Sequence, residues 1–164
     1  MSTTASATRT LWRHSAWLLV PPPLLFGAAF GVGALLERVA PSSVLSALGP
    51  AALYAGIAAI AAAFITPSSA LLFAWHRTTI VPHGKARLLL TTGPYRLTRN
   101  PMYLGLALGY LGIALVTRTA WPLASLSLPL WVLQTKTIPL EERNLVEVFG
   151  DEYRAYAKRV RRWL

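Results

Sequence analysis

Four stretches of this chain run with no Asp, Glu, Lys, Arg or His through their middles: Ser15 to Leu36, Val44 to Trp75, Met102 to Val116, and Ala120 to Leu133 with a polar extension to Ile138. A helix needs about 20 apolar residues to cross the hydrocarbon of a bilayer. Runs of this kind leave few other places for a chain to bury them. The composition agrees, with 54% hydrophobic and 13% charged residues where a soluble domain carries about 25% charged. The reading is an all-α integral membrane protein, a single domain over 1–164, with spans at 15–36, 44–75, 102–117 and 120–138.

Prolines refine those limits. Pro21, Pro22 and Pro23 suit the opening turn of a helix, where a missing N–H costs nothing, so the rigid part of the first span starts near Pro22. The second run is long for one span, and Pro67 before Ser68 and Ser69 predicts one bent helix kinked or ended there. The first run is too long and Pro-broken for a cleaved signal peptide and is expected to be retained. Gly27 and Gly31 on the first helix, and Gly105, Gly109 and Gly112 on the third, read as close helix packing.

Basic residues orient the spans. Arg9 and Arg13 precede the first; Arg77, Lys85, Arg87, Arg96 and Arg99 lie between the second and third; Lys136, Arg143, Arg154, Lys158, Arg159, Arg161 and Arg162 follow the fourth. Only Arg38 and Arg118 fall in the other loops. That asymmetry places both termini on the cytoplasmic side, most simply of a plasma (inner) membrane. The net charge of +10 then reports orientation and anionic-lipid contact, with the bilayer and not nucleic acid as the partner. Lacking cysteine, the chain has no thiolate nucleophile or Cys-ligated metal, and His14, His76 and His83 have no helical-spaced partner, so no metal site is expected. An apolar interior without an ionisable group at depth argues against a transporter.

The polar chemistry gathers in two cytoplasmic places. In GPYRLTRNPMYLG, Gly93-Pro94 marks a turn and Asn100-Pro101 opens the third helix, holding Arg96, Arg99 and Asn100 at a helix mouth suited to a carboxylate or phosphate. The same residues would also serve as a basic membrane anchor with Tyr95 and Tyr103 at the interface. The second place is the tail, where Pro139-Leu140-Glu141-Glu142 leads an amphipathic helix ended by Gly150, and Asp151 starts another bearing Tyr153 and Tyr156. Glu141 and Glu142 are either partners of the helix dipole or a carboxylate pair facing a ligand. Lys158, Arg159, Arg161, Arg162 and Trp163 read as an end resting on anionic headgroups.

Taken together, GPYRLTRNPMYLG and, about forty residues later, EERNLVEVFGDEYRAYAKRVRRW resemble the isoprenylcysteine carboxyl methyltransferase and phospholipid methyltransferase superfamily. The resemblance covers Arg77 to Leu164, with weaker support at Val20 to Leu25. It implies an integral membrane enzyme that moves a methyl group from S-adenosylmethionine to a lipophilic or amphiphilic acceptor at the cytoplasmic side, with the cofactor held by the C-terminal half, 77–164. Carried onto this chain, the cofactor-binding residues are Tyr95, Arg96, Asn100, Pro101, Tyr103, Gly105, Glu141, Tyr153 and Tyr156, with Gly105 allowing close approach to the backbone. Arg99 would orient a carboxylate acceptor, and Glu142 would accept a proton from an amine or hydroxyl.

Two departures bear on the acceptor. Arg99-Asn100-Pro101 stands where eukaryotic isoprenylcysteine enzymes have Arg-His-Pro, and the chain lacks their additional N-terminal spans. A lipid or small amphiphile entering between the first, second and fourth spans is therefore expected rather than a prenylated protein. The alternatives are an NADPH-dependent membrane reductase of related architecture and a non-enzymatic four-span scaffold or transporter subunit. In the scaffold, Arg99 and Glu142 need not meet.

Overall fold

The computed structural model describes residues 20–75 and 88–164. The start of the first span, and Arg77, His83, Lys85 and Arg87 of the basic loop, lie outside the described residues. Within them every regular element is helical: α1 (Pro22–Val39), α2 (Pro50–Ala63), α3 (Ile65–Trp75), α4 (Pro101–Val116), α5 (Ala120–Ser125), α6 (Ser127–Val132), α7 (Ile138–Phe149) and α8 (Asp151–Arg159), with short 3-10 turns at Ser46–Leu48 and Gly93–Arg96. Two helical stretches are long and apolar enough to cross a membrane, Pro22–Val39 and Pro50–Leu71; Pro101–Val116 is apolar but shorter.

Proline explains both where these helices begin and where they falter. α1, α2 and α4 all open with Pro in the first turn, a position that needs no intrahelical N–H. Inside a helix, Pro deprives the carbonyl four residues earlier of its donor and crowds it with the ring. Pro67 does this to Ala63, and the helix breaks between α2 and α3 at Phe64, a turn before the proline itself. Pro129 does it to Ser125, where α5 gives way to α6. Pro139 does it to Thr135, and the chain widens into a π turn at Leu133–Thr137. Such a turn carries one extra residue and rotates the next helix by about 100° relative to the apolar face before it. Leu133, at the start of that turn, and Ile138, just after it, are both completely buried, and Glu141 and Glu142 follow Ile138 by three and four residues, on its face of α7.

Glycine sets the helix spacing, though only partly at the expected positions. A Cβ on Gly56 would lie 2.8 Å from the Gly112 carbonyl oxygen, and one on Gly112 would lie 2.7 Å from that of Gly56, so α2 and α4 cross backbone to backbone. On α1 the packing glycine is Gly33, whose Cβ would meet the Pro122 backbone at 2.6 Å; Gly27 and Gly31 have nothing within 4 Å. The small-residue reading of α1 therefore falls two residues short, because α5 crosses α1 near its C-terminal end. Tyr110 joins these layers: Phe26 and Phe30 of α1 meet its ring edge-on at 6.1 and 5.0 Å, and its hydroxyl is 2.8 Å from Ser125 Oγ.

Candidate active site at the mouth of helix α4

Gly93, at φ 58°, allows the left-handed turn that a side chain would resist, and the Gly93–Arg96 turn then delivers Thr98, Arg99 and Asn100 to the start of α4. Asn100 does not cap its own helix. Its amide Nδ2 donates instead to the Arg162 carbonyl at 2.9 Å, joined there by the Thr98 hydroxyl at 3.0 Å, while the Arg99 N–H donates to the Arg161 carbonyl at 2.9 Å. Segment 161–163 is thereby tied across the mouth. Gly150, at φ 54°, is the pivot that makes this possible: it ends α7 and turns α8 back, so that Tyr156 donates to the Tyr95 carbonyl at 2.7 Å.

At the centre is Glu142. Arg162 grips it with a fork, Nε to Oε1 at 3.1 Å and Nη2 to Oε2 at 2.6 Å, and Arg99 Nη1 approaches Oε1 at 3.2 Å. The same Nη1 donates to the Tyr153 hydroxyl at 3.3 Å. Arg99 and Glu142 are only 16% and 18% exposed, so their charges interact in a medium less screening than water. Arg99 Nε is buried with no hydrogen-bond partner. The fork raises the pKa of Arg162 above its ordinary value.

One residue earlier, Glu141 accepts a 2.5 Å hydrogen bond from Tyr103 on α4. Burial, with a further push from Glu142, raises its carboxyl to about 7 against the lowering effect of the Tyr103 bond. Burial also raises Tyr95 and Tyr153, and lifts Tyr156 to about 12, so these phenols stay neutral and present ring faces and hydroxyls rather than charge.

Thus Tyr95, Arg99, Asn100, Glu142, Tyr153 and Tyr156 form one connected cluster, with Tyr103 and Glu141 beside it and Pro101 buried in the first turn of α4. Arg96 is exposed and takes no part in these bonds. Gly105 opens toward α3, where Thr66 and Ile65 fill the space its Cβ would need; the close approach it permits is to a neighbouring helix. The residues that spacing did not single out for the site are Thr98, Arg162 and Trp163, the last donating from its indole to Gln134 at 2.8 Å. No periodicity connects positions 142 and 162. The one usable signal was the helix-ending Gly150, which folds the basic end back over the acids.

The phospholipid methyltransferase family model matches residues 51–152. The chain belongs to that family. It is 37% identical over 77 residues to a protein-S-isoprenylcysteine O-methyltransferase of Schizosaccharomyces pombe, covering 47% of this chain and 33% of that one. It is 36% identical over 75 residues to the cobalt-zinc-cadmium resistance protein CzcN of Cupriavidus metallidurans, covering 46% and 34%, and 35% identical over 66 residues to methanethiol S-methyltransferase 1 of Bradyrhizobium diazoefficiens, covering 40% and 22%. The chain spans about a third or less of the length of these relatives. No solved structure matches it significantly.

Proposed function

We propose that this protein transfers a methyl group from S-adenosylmethionine to a lipophilic or amphiphilic acceptor at the cytoplasmic face of a membrane. The observation that carries the reading is the convergence of Arg99, Glu142 and Tyr153 at one end of an apolar bundle. A scaffold would have no need to gather them. The donor set fits the cofactor: a guanidinium with a buried, unpartnered Nε suits a carboxylate, the Glu side chains suit an ammonium or ribose hydroxyls, and phenol faces suit a sulfonium or adenine. When bound, S-adenosylmethionine supplies a methyl group on a positively charged sulfur.

The chain's own residues divide the remaining work. Arg99 holds the anionic group, and Glu142, held by two guanidiniums, fixes the direction of both. A proton taken up by Glu142 would sacrifice those pairs. Glu141 is the better acceptor of a proton from an amine, hydroxyl or thiol, since its carboxyl, raised to about 7, can change state near neutral pH. If the acceptor is a carboxylate, no base is required.

The membrane reading rests on outward-facing apolar side chains. Leu24, Val32 and Leu35 on α1, Leu53, Ile57 and Leu71 on α2 and α3, and Leu128 and Trp131 on α6 are all exposed, a belt that a soluble monomer would not display. We read four spans, both termini on the cytoplasmic side of a plasma membrane, and α7 and α8 as amphipathic helices on that surface. A trough of about 460 Å³, lined by Phe26, Phe30, Thr66, Leu106, Gly109 and Tyr110, opens between α1 and α3 with α4 as its floor. It is the route we assign to the acceptor, floored by the third span rather than the fourth. The relatives' names specify acceptors as unlike as isoprenylcysteine and methanethiol, so the lipophilic class is inferred from this trough.

Calorimetric titration of the detergent-purified protein with S-adenosylmethionine and, separately, NADPH tests the proposal. Saturable S-adenosylmethionine binding is expected, weakened about a hundredfold in Arg99→Ala and weakened but still measurable in Glu142→Ala. Binding of NADPH instead would make it a reductase, and binding of neither would overturn the enzymatic reading.

A further inference from the structure

Two guanidiniums meet Glu142, and it treats them differently. Arg162 takes both carboxylate oxygens in a parallel fork at 3.1 and 2.6 Å, the strongest geometry available to an Arg–carboxylate pair. Arg99 is left with a single Nη1 contact at 3.2 Å, divided with the Tyr153 hydroxyl at 3.3 Å, and a buried Nε that meets no acceptor. A buried donor left unmet has given up its water without a replacement partner, a net cost to the fold. Were Arg162 absent, Glu142 would relieve that cost by turning its oxygens onto Arg99.

We infer that Arg162 is a positioning residue that occupies Glu142 and so keeps the Arg99 guanidinium open to the anionic group of a ligand. The inference rests on the methyltransferase reading for the identity of that ligand, a carboxylate-bearing cofactor. Arg162 acts through Glu142 and touches no other side chain of the cluster by hydrogen bond among the described residues. Its placement does not depend on its own charge. The carbonyls of Arg161 and Arg162 accept from the Arg99 N–H, the Thr98 hydroxyl and the Asn100 amide, and these backbone ties survive replacement of the side chain. Trp163, packed against the core cluster of Phe26, Leu133 and Ile138 and bonded to Gln134, holds the segment from its other side. An Arg162→Ala protein is therefore expected to keep the 161–163 segment in place and lose only the fork.

The test is a cycle of four proteins titrated with S-adenosylmethionine: unsubstituted, Arg162→Ala, Glu142→Gln, and the double variant. Arg162→Ala is expected to weaken binding about tenfold or more, whereas adding it to Glu142→Gln changes affinity by less than about twofold, the non-additivity of a residue that works through its neighbour. Arg162→Lys, which keeps the charge without the fork, falls between. Equal losses in both backgrounds, or no loss in either, would overturn the inference.

A ligand-free arm separates it from the proposed function. Thermal unfolding with and without Arg99→Ala is compared in the unsubstituted protein and in Arg162→Ala. Arg99→Ala should cost more in the second, where Arg99 has acquired the fork; equal costs would overturn the allocation. If the unsubstituted protein binds no S-adenosylmethionine, the function falls and this arm alone decides the role of Arg162.

Discussion

Where α4 leads into α5, Glu37 at the end of α1 accepts the Ser42 N–H at 2.7 Å with one oxygen and the Trp121 N–H at 3.0 Å with the other, and the Trp121 indole returns a bond to the Ala40 carbonyl at 2.7 Å. At the opposite end of α4, about 24 Å away by helical rise, Glu142 is held by Arg162 and Arg99 side chains. Both carboxylates join segments far apart in sequence. At Glu37, however, the donors are main-chain N–H groups of the loop after α1 and of α5, and both already meet a carboxylate oxygen, so the Glu37 joint leaves no unmet donor for a ligand. Guanidiniums sit on long side chains with several donors each, and at the α4 mouth one donor is left unmet. A joint made from side chains can exchange partners, and that separates the proposed ligand site from a structural clasp.

The largest test of this contrast is a paired substitution. Arg99→Ala is expected to weaken S-adenosylmethionine binding about a hundredfold, the loss of one or two charge-assisted bonds in a shielded site, with little change in thermal stability. Glu37→Ala should do the reverse, leaving the dissociation constant unchanged while lowering the unfolding temperature. Parallel effects of the two substitutions on both measurements would erase the distinction.

Next in size is a pH effect confined to the α4 mouth. The Glu141 carboxyl titrates at 4.5 when unperturbed and at about 7 in the fold. Between those values the folded chain holds a proton that the unfolded chain has released, so stability is full below about 4.5, falls as pH rises, and levels off above about 7. Allowing for partial exposure, the loss is about 2 kcal/mol. Unfolding temperatures of the unsubstituted protein and Glu141→Gln, taken from pH 4.5 to 7.5, should diverge over this window, with the Gln variant lacking that component of the slope. Parallel curves would mean that Glu141 is not shielded as Tyr103 implies.

The α4 mouth was legible in sequence to a degree that the Glu37 joint was not, and the reason is local encoding. Gly93, Pro94, Asn100 and Pro101 are punctuation, each with a backbone meaning of its own, so they announced a turn and a helix start. Tyr153 and Tyr156 followed from helical spacing after Gly150. Arg162 and Glu37 were illegible because their partners are set by tertiary packing: Arg162 reads as one more cation in a basic run, and Glu37 as an acid at a helix end. Helix interruptions lay between these cases. Pro67 correctly foretold a break in the second run, displaced upstream by about a turn because the deprived carbonyl, not the ring, is where the ladder fails. The π turn before Pro139 obeys the same rule but was hidden in what spacing presents as a continuous span.

The remaining predictions concern the Glu37 end. Gly33→Ala places a Cβ 2.6 Å from the Pro122 Cα and from Ser125 Oγ; the hydroxyl can rotate aside but the backbone cannot, so α1 and α5 must separate, at a cost of roughly 1–2 kcal/mol. Glu37→Gln is smaller still and more informative. The amide keeps one oxygen for either Ser42 or Trp121 but turns an NH₂ toward the other backbone N–H, so one bond is lost and the space between α1 and α5 is unchanged. Its unfolding temperature should therefore fall less than that of Gly33→Ala, and S-adenosylmethionine affinity should not move in either variant. Should Glu37→Gln change cofactor affinity, the two ends of α4 would have to be coupled along the helix, and the exchangeable joint at one end would no longer be independent of the fixed joint at the other.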